Sequence, residues 1–334
     1  MANPLQGFHV AILASLGHAP EVIEPGRFHR FGTSDRRGDS AGWCKAFDDL
    51  RGGVFGCYRQ GISETWSAAD RASMTREQRA ELARQVLAAT AERERQQRQQ
   101  WAENAQRISK VWAQCVPLVP GDPVTLYLKR RGFAGLWPLP EVLRFHRALT
   151  YWDGTDKLGT FPAMVAPMVA PGGRIVALHR TYLTRDGRKA AVPDVKKLTG
   201  AAGPLAGACI PLNKPVSGRI GISEGIENGL AGWCASGVPT VAAYCAGNLA
   251  GWRWPSNLQS LVIFADNDRP GREAADTLRT RALATRLRVE VMTPTDPGAD
   301  WCDVWAARDD LAIGSIADQT FNTFEPAHRN GGAE

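Results

Sequence analysis

The sequence predicts an α/β chain in three parts: a parallel-sheet domain at the C-terminal end, an α+β segment before it, and a small β-rich module at the start. Three observations lead there. After Gly218, short continuous apolar runs alternate with helical stretches, as strands of a parallel sheet covered on both faces do. Residues 73–115 contain neither Pro nor Gly and carry a surplus of Arg over Glu, which reads as one long polar helix, broken at most once, that joins modules. Residues 1–72, by contrast, alternate short apolar pieces with Gly and Asp turns.

A chain of 334 residues exceeds what one core usually organises, so two or three domains are expected. "FHVAILASL" reads as a first helix after Pro4 rather than as a secretion signal, and no apolar run reaches the length of a membrane span. The module 1–72 is expected to be β-rich through "GRFHRFGTSDRRGDSAGWCKAFDDLRGGVFGCYRQGISETWSA", followed by the linker helix 73–115. The α+β segment 116–205 places strands at "FPAMVAPMVA" and "RIVALHRTYLT", the second closed by the turn "RDGRKA". In 206–334 the order is strand "RIGIS", helix "IENGLAGWCASG", strand "TVAAYC", a short helix near "NLAGW", strand "LVIFA", helix "PGREAADTLRTRALATR", and strand "RVEVM". In the third helix Ala274, Ala275, Leu278, Ala282 and Leu283 share the face expected to pack on the sheet, leaving Arg272, Arg279 and Arg286 to water.

Charge and cysteine usage narrow the class. A net charge of +6 and a pI near 9.0 favour an anionic partner without specifying one. Seven scattered cysteines with no Cys-x-x-Cys pair fit reduced thiols in a cytoplasm.

The chemistry is expected at the carboxyl ends of the parallel strands, where right-handed crossovers bring successive ends to one edge. Glu224 follows "RIGIS", Asp266 and Asp268 follow "LVIFA", and Asp300 and Asp303 follow "RVEVM" and a Pro/Gly loop. Asp-x-Asp before Pro-Gly is also an ordinary turn with a helix cap. Carboxylates gathered on one rim raise each other's pKa unless a cation lies between them, and oxygen ligands without His or Cys suit Mg²⁺ or Mn²⁺. Phosphoryl or nucleotidyl transfer is the reaction class this points to.

"ISEGIENGLAG", "VIFADNDRPGREAA" and "DPGADWCDVWA" resemble the three motifs of the Toprim domain of bacterial-type primases, topoisomerases and some nucleases. "YLKRRGF", "FPAMVAPMVAPGGRIVALHRTYLTRDGRKAAVPDVKKLTG" and "GRFHRFGTSDRRGDSAGW" resemble segments that precede Toprim in primases of phages and plasmids. The resemblance implies Glu224 as acid/base or metal-organising carboxylate, Asp266 and Asp268 as principal metal ligands, and Asp300 and Asp303 as auxiliary acids. It departs at Asn228, where many primases carry an acid; here Glu227 stands beside it, which favours a one-metal over a two-metal site.

The same resemblance places Arg130, Arg131, Arg180, Lys196 and Lys197 in the segment packed on Toprim. Arg131, Arg180, Lys196 and Lys197 are thereby nucleotide- or template-binding candidates. The helix 76–110, with alternating Arg and Glu, is expected to be a solvated linker rather than a DNA-binding face. Bacterial-type primases commonly carry an N-terminal zinc ribbon, yet His18, His29, Cys44 and Cys57 form no close pair, so the module is expected to be ribbon-like without zinc. Trp43, Phe47, Phe55, Tyr58 and Trp66 would be its core or, where exposed, a stacking surface for bases.

The implied function is a DNA primase that makes short RNA primers on single-stranded DNA from nucleoside triphosphates with Mg²⁺ or Mn²⁺, in a bacterial cytoplasm, for phage or plasmid replication. No Gly-x-x-x-x-Gly-Lys-Ser/Thr loop occurs, so a separate replicative helicase is the expected partner. A Toprim nuclease and a non-catalytic single-strand-binding accessory protein are the competing readings.

Overall fold

Asn3, by accepting a hydrogen bond from the Leu5 amide at 3.1 Å, starts helix α1 (Pro4–Leu16), with Pro4 in a first turn where its missing N–H costs nothing. The computed structural model describes residues 3–35 and 38–308, which form two compact units. The first comprises the described residues up to Gln100 together with Tyr151–Gly159, the second the remaining described residues. The end of the last predicted segment, 309–334, lies outside the described residues.

The first unit contains an antiparallel sheet in the order β1 (His29–Phe31), β2 (Gly42–Ala46), β3 (Gly52–Cys57), β4 (Ile62–Ser67). Side chains alternate across a strand, so the sheet offers two apolar faces. Phe31, Cys44, Ala46, Phe55 and Cys57 cluster with Phe8, Ile12 and Leu16 of α1. Trp43, Phe47 and Val54 cluster with Met74, Leu82 and Ala89. Leu82 and Ala89 belong to α2 (Arg76–Ala113), an unbroken helix of 38 residues. The expected linker is therefore also a packing element in its first half, because Leu82, Val86 and Ala89 make a narrow apolar stripe in an otherwise polar sequence. Its charges pair along its own surface, as in Arg84–Glu81, Arg98–Glu94 and Arg107–Glu103. Of the aromatic candidates Trp43, Phe47 and Phe55 are core; Tyr58 is exposed, with the Arg30 guanidinium 4.6 Å over its ring. Cys44, whose thiol burial pushes up to about 12, and Cys57 lie inside this core.

The second unit holds most of a five-stranded sheet in the order β5-β6-β7-β8-β9: β5 (Val116–Pro117), β6 (Arg144–Asp153, whose end from Tyr151 belongs to the first unit), β7 (Asp156–Val169, whose start to Gly159 does likewise), β8 (Ile175–Tyr182), β9 (Lys196–Leu198). Strands β6 and β9 were not legible as strands: "RFHRALTYWD" is too polar to alternate cleanly, and "KKL" is held by its ladder to His179, Arg180 and Thr181. The short helix α3 (Pro123–Leu128) starts at the Asp122 cap and runs into a wide turn, Lys129–Phe133.

The parallel sheet follows: β10 (Arg219–Ser223), α4 (Ile226–Ser236), β11 (Thr240–Ala242), α5 (Ala246–Gly251), β12 (Ser260–Phe264), α6 (Arg269–Ala284), β13 (Arg288–Met292), α7 (Trp301–Ala307). Its order is β11-β10-β12-β13, all parallel. From β10 the chain steps to β11 on one side, then crosses back to β12 on the other, so the switch point of the sheet lies between β10 and β12. In α6 Ala274, Ala275, Leu278 and Ala282 are buried as predicted, but Leu283 is 47% exposed. Its position one residue past Ala282 turns it about 100° off the buried stripe, which only small residues and Leu278 fill.

Candidate active site

The register of β10 with β12 pairs Ser223 with Phe264, so Glu224 and Asp266 leave the sheet at nearly the same level on either side of the switch point. Two glycines let α4 settle close enough to bring its first turn to that edge. A Cβ on Gly229 would meet Leu212 at 2.8 Å and Ser223 Oγ at 2.9 Å, and one on Gly232 would meet the Phe264 ring at 2.8 Å. On the other side, Asp268 caps α6 by accepting the Gly271 amide at 2.7 Å. A Cβ on Gly271 would lie 2.8 Å from the Asp266 carbonyl oxygen and 2.9 Å from Asp268 Oδ1.

The rim is acidic and half-buried. Burial pushes the Asp266 carboxyl up to about 7, helped by the charges of Glu224, Asp300 and Asp268, and only partly opposed by the hydrogen bond from Asn228. Burial, then Asp268, likewise raises Glu224, while Lys196 pulls it down. Asn228 bridges two elements: its Nδ2 donates to Asp266 Oδ1 at 2.7 Å, and its Oδ1 accepts the Cys302 amide of α7 at 3.2 Å. Where an acid would repel Asp266, this side chain holds it.

Asp300 and Asp303 end differently. Asp300 is the N-cap of α7, accepting the Asp303 amide at 2.8 Å, and Asp303 turns back toward the Asp300 amide in a capping box. Asp300 acts electrically on Asp266; Asp303 is occupied by the helix end.

Residues 219–309 match the profile of the Toprim domain. They form a Toprim domain. Residues 102–209, which carry Arg131, Arg180, Lys196 and Lys197, match a domain of unknown function, DUF7146. No curated protein matches the chain. Similar solved structures include a DNA primase domain from Pseudomonas aeruginosa, at 18% identity over 52% of this chain and 56% of that one, with a TM-score of 0.35. A DnaG primase catalytic domain bound to single-stranded DNA aligns at 14% identity over 69% and 83%, with a TM-score of 0.43. The zinc-binding and RNA polymerase domains of the Aquifex aeolicus primase align at 14% identity over 91% and 82%, with a TM-score of 0.37. The chain thus spans little more than half the length of the Pseudomonas structure.

Beside the Toprim rim lies a second carboxylate that was noted in the sequence only as a neighbour of Asn228. Glu227 is almost fully buried and uses both oxygens: Tyr127 Oη donates to Oε1 at 2.7 Å and Lys196 Nζ to Oε2 at 2.8 Å. Burial alone would raise its pKa, but Lys196, by charge and hydrogen bond, and Tyr127 hold it at about 2. The signal for it was present, since an acid in the first turn of the mostly apolar "IENGLAGW" has little solvent-facing side to occupy.

The other basic candidates distribute unevenly. Arg131, in the turn Lys129–Phe133, is partly buried within electrostatic reach of Glu227 and Asp300, and its Nε has no hydrogen-bond partner among the described residues. Arg180 donates to Tyr182 Oη at 3.1 Å and to the Leu198 carbonyl at 2.6 Å, an internal role on the β8–β9 ladder. Lys197 pairs in register with Arg180.

The donor set suits a hard divalent cation: oxygen ligands only, with the Asp266 carboxyl pushed up to about 7 by burial and then by the neighbouring acids. Among the described residues no group of three acids, imidazoles or thiols is arranged to hold a metal ion. Mg²⁺ commonly binds through one or two carboxylates plus water and substrate phosphates, so Asp266 with Asp268 or Glu224 meets its minimum. No helix among the described residues is long and apolar enough to cross a membrane.

Proposed function

We propose that this chain is a DNA primase that synthesises short RNA primers on single-stranded DNA by nucleotidyl transfer, supporting phage or plasmid replication beside a separate helicase. The observation that carries the reading is the acidic rim at the switch point of a Toprim domain, where burial and mutual repulsion hold Asp266 at about 7. Asp266, Asp268 and Glu224 would hold Mg²⁺ or Mn²⁺, which supplies a lowered pKa to the attacking 3′-hydroxyl and neutralises the leaving pyrophosphate. Asp300 adds negative potential, and Asp303 contributes through the capping box it makes with Asp300. Arg131 and Lys196 offer cationic donors for triphosphate or template; Arg180 and Lys197 shape the strand that presents Lys196. The working division is 1–72 as a ribbon-like module without zinc, 73–115 as linker helix, 116–205 as primase subdomain and 206–334 as Toprim domain.

The test incubates the protein with single-stranded DNA, labelled ribonucleotides and Mg²⁺. Short RNA products are expected, and Asp266→Ala or Asp268→Ala should abolish them. Shortened DNA would favour a Toprim nuclease, and DNA retention without chemistry an accessory protein. Primers made equally well by both variants would overturn the site assignment.

A further inference from the structure

Glu227 sits three residues beyond Glu224, yet neither of its oxygens faces the rim: one accepts from Tyr127 at the end of α3, the other from Lys196 at the start of β9. Its side chain is 4% exposed, whereas that of Lys196 is 40% exposed. A buried carboxylate anchored at both oxygens is a rigid post, and a lysine tied to it loses the freedom of its flexible stem. An ammonium has three donors, of which Glu227 takes one. That leaves two donors on a side chain that is partly exposed to solvent and whose charge also reaches Glu224 and His179.

The neighbourhood is polar for a protein interior. His179 and Thr181 lie on the same face of β8, and Thr181 is the ladder partner of Lys196. His179 Nδ1 and Thr181 Oγ1 are buried with no hydrogen-bond partner among the described residues. Burial holds His179 neutral, down to about 4, so it adds no competing charge beside the lysine.

We propose that Glu227 is a positioning residue that holds the Lys196 ammonium beside Glu224 as a fixed anchor for the triphosphate of an incoming nucleotide. This deepens the primase reading and rests on it for the identity of the ligand. The binding step itself is separable from chemistry, because a prearranged cation recognises polyphosphate whether or not primers are made.

The experiment measures binding of inorganic triphosphate by calorimetry to wild type, Glu227→Gln, Lys196→Met and the double variant, each checked for folding by circular dichroism. Glu227→Gln is expected to weaken triphosphate binding about tenfold, Lys196→Met at least as much, and the double variant no more than Lys196→Met alone. In primer synthesis Glu227→Gln should raise KM for nucleotide about tenfold with kcat within about threefold of wild type. Tyr127→Phe removes one of the two hydrogen bonds that anchor the carboxylate but leaves its charge, so it should weaken triphosphate binding by less than Glu227→Gln does. That contrast separates positioning from a merely structural role. Additive losses in the double variant, or unchanged affinity in Lys196→Met, would overturn the proposal.

If Glu227→Gln does not fold, amine acylation of the wild-type protein, read by mass spectrometry, decides instead. Lys196 should react more slowly than exposed Lys129 and Lys214, and more slowly still with triphosphate present; equal rates would refute the anchor. Expected triphosphate binding without primer synthesis would leave the anchor standing and remove the primase reading.

Discussion

Asn228→Asp tests the rim most directly, because it changes one atom type at a single contact. The amide nitrogen that donates to Asp266 at 2.7 Å becomes an oxygen, so a hydrogen bond to a charged acceptor is exchanged for a like-charge contact. Losing a hydrogen bond of that kind costs about 1.5–3 kcal/mol. Two full charges about 4 Å apart at an effective dielectric of about 20 would repel by about 4 kcal/mol, but the pair avoids most of this by holding one proton between them. Since Asp266 is already pushed up to about 7, a net destabilisation of about 3–5 kcal/mol is expected in metal-free buffer at about pH 8. Urea unfolding followed by circular dichroism, with EDTA and with Mg²⁺, measures it. Mg²⁺ should restore about 3 kcal/mol when present at about a hundredfold excess over its Kd, because the added carboxylate makes the rim a better cation site. A variant as stable as wild type in EDTA would refute both the bridge and the crowding of acids.

Three further predictions follow from neighbouring contacts. Asp268→Asn should preserve the α6 cap and leave stability within about 0.5 kcal/mol, whereas Asp268→Ala should cost about 1 kcal/mol; both should lose primer synthesis, and melting curves beside the primer assay distinguish cap from ligand. Gly271→Ala puts a methyl against the Asp266 carbonyl and the capping oxygen, so it should cost about 1–3 kcal/mol in urea titration and depress synthesis. Glu227, held near 2 against an ordinary value of 4.5, contributes stability that is present above about pH 4.5 and is lost as pH falls toward about 2. Acid titration of unfolding free energy should show a loss of about 3 kcal/mol in wild type over that window, missing from Glu227→Gln.

The parallel sheet and its acidic edge were legible because they rest on local signals. Continuous apolar runs mark buried strands; Glu224 directly follows one, and Asp266 and Asp268 lie within four residues of the end of another. The capping box of Asp300 and Asp303 was legible in principle, as the acid-x-x-acid "DWCD" at the start of the helix, but helix caps and auxiliary ligands use the same residues, and sequence alone does not choose between them. What escaped was long-range pairing. Tyr127 and Glu227 are separated by 100 positions and Lys196 and Glu227 by 31, so no periodicity links them. Leu283 misled for the opposite reason: its hydrophobicity suggested burial, while its place one residue past Ala282 turns it off the face that Ala274, Ala275, Leu278 and Ala282 bury.

The Glu227 clamp also bears on what can be cut from this chain. Residues 219–309 match one family profile, yet both groups that hydrogen-bond the buried carboxylate of Glu227, Tyr127 and Lys196, come from 102–209. Excising the unit would remove the ammonium and hydroxyl that stabilise this charge, forfeiting about 3 kcal/mol, a large fraction of what a domain of this size has to lose. Recombination between relatives would therefore succeed where the crossover keeps Tyr127, Lys196 and Glu227 together. The boundary drawn by family resemblance and the boundary drawn by electrostatics do not coincide, and inheritance has to respect the second.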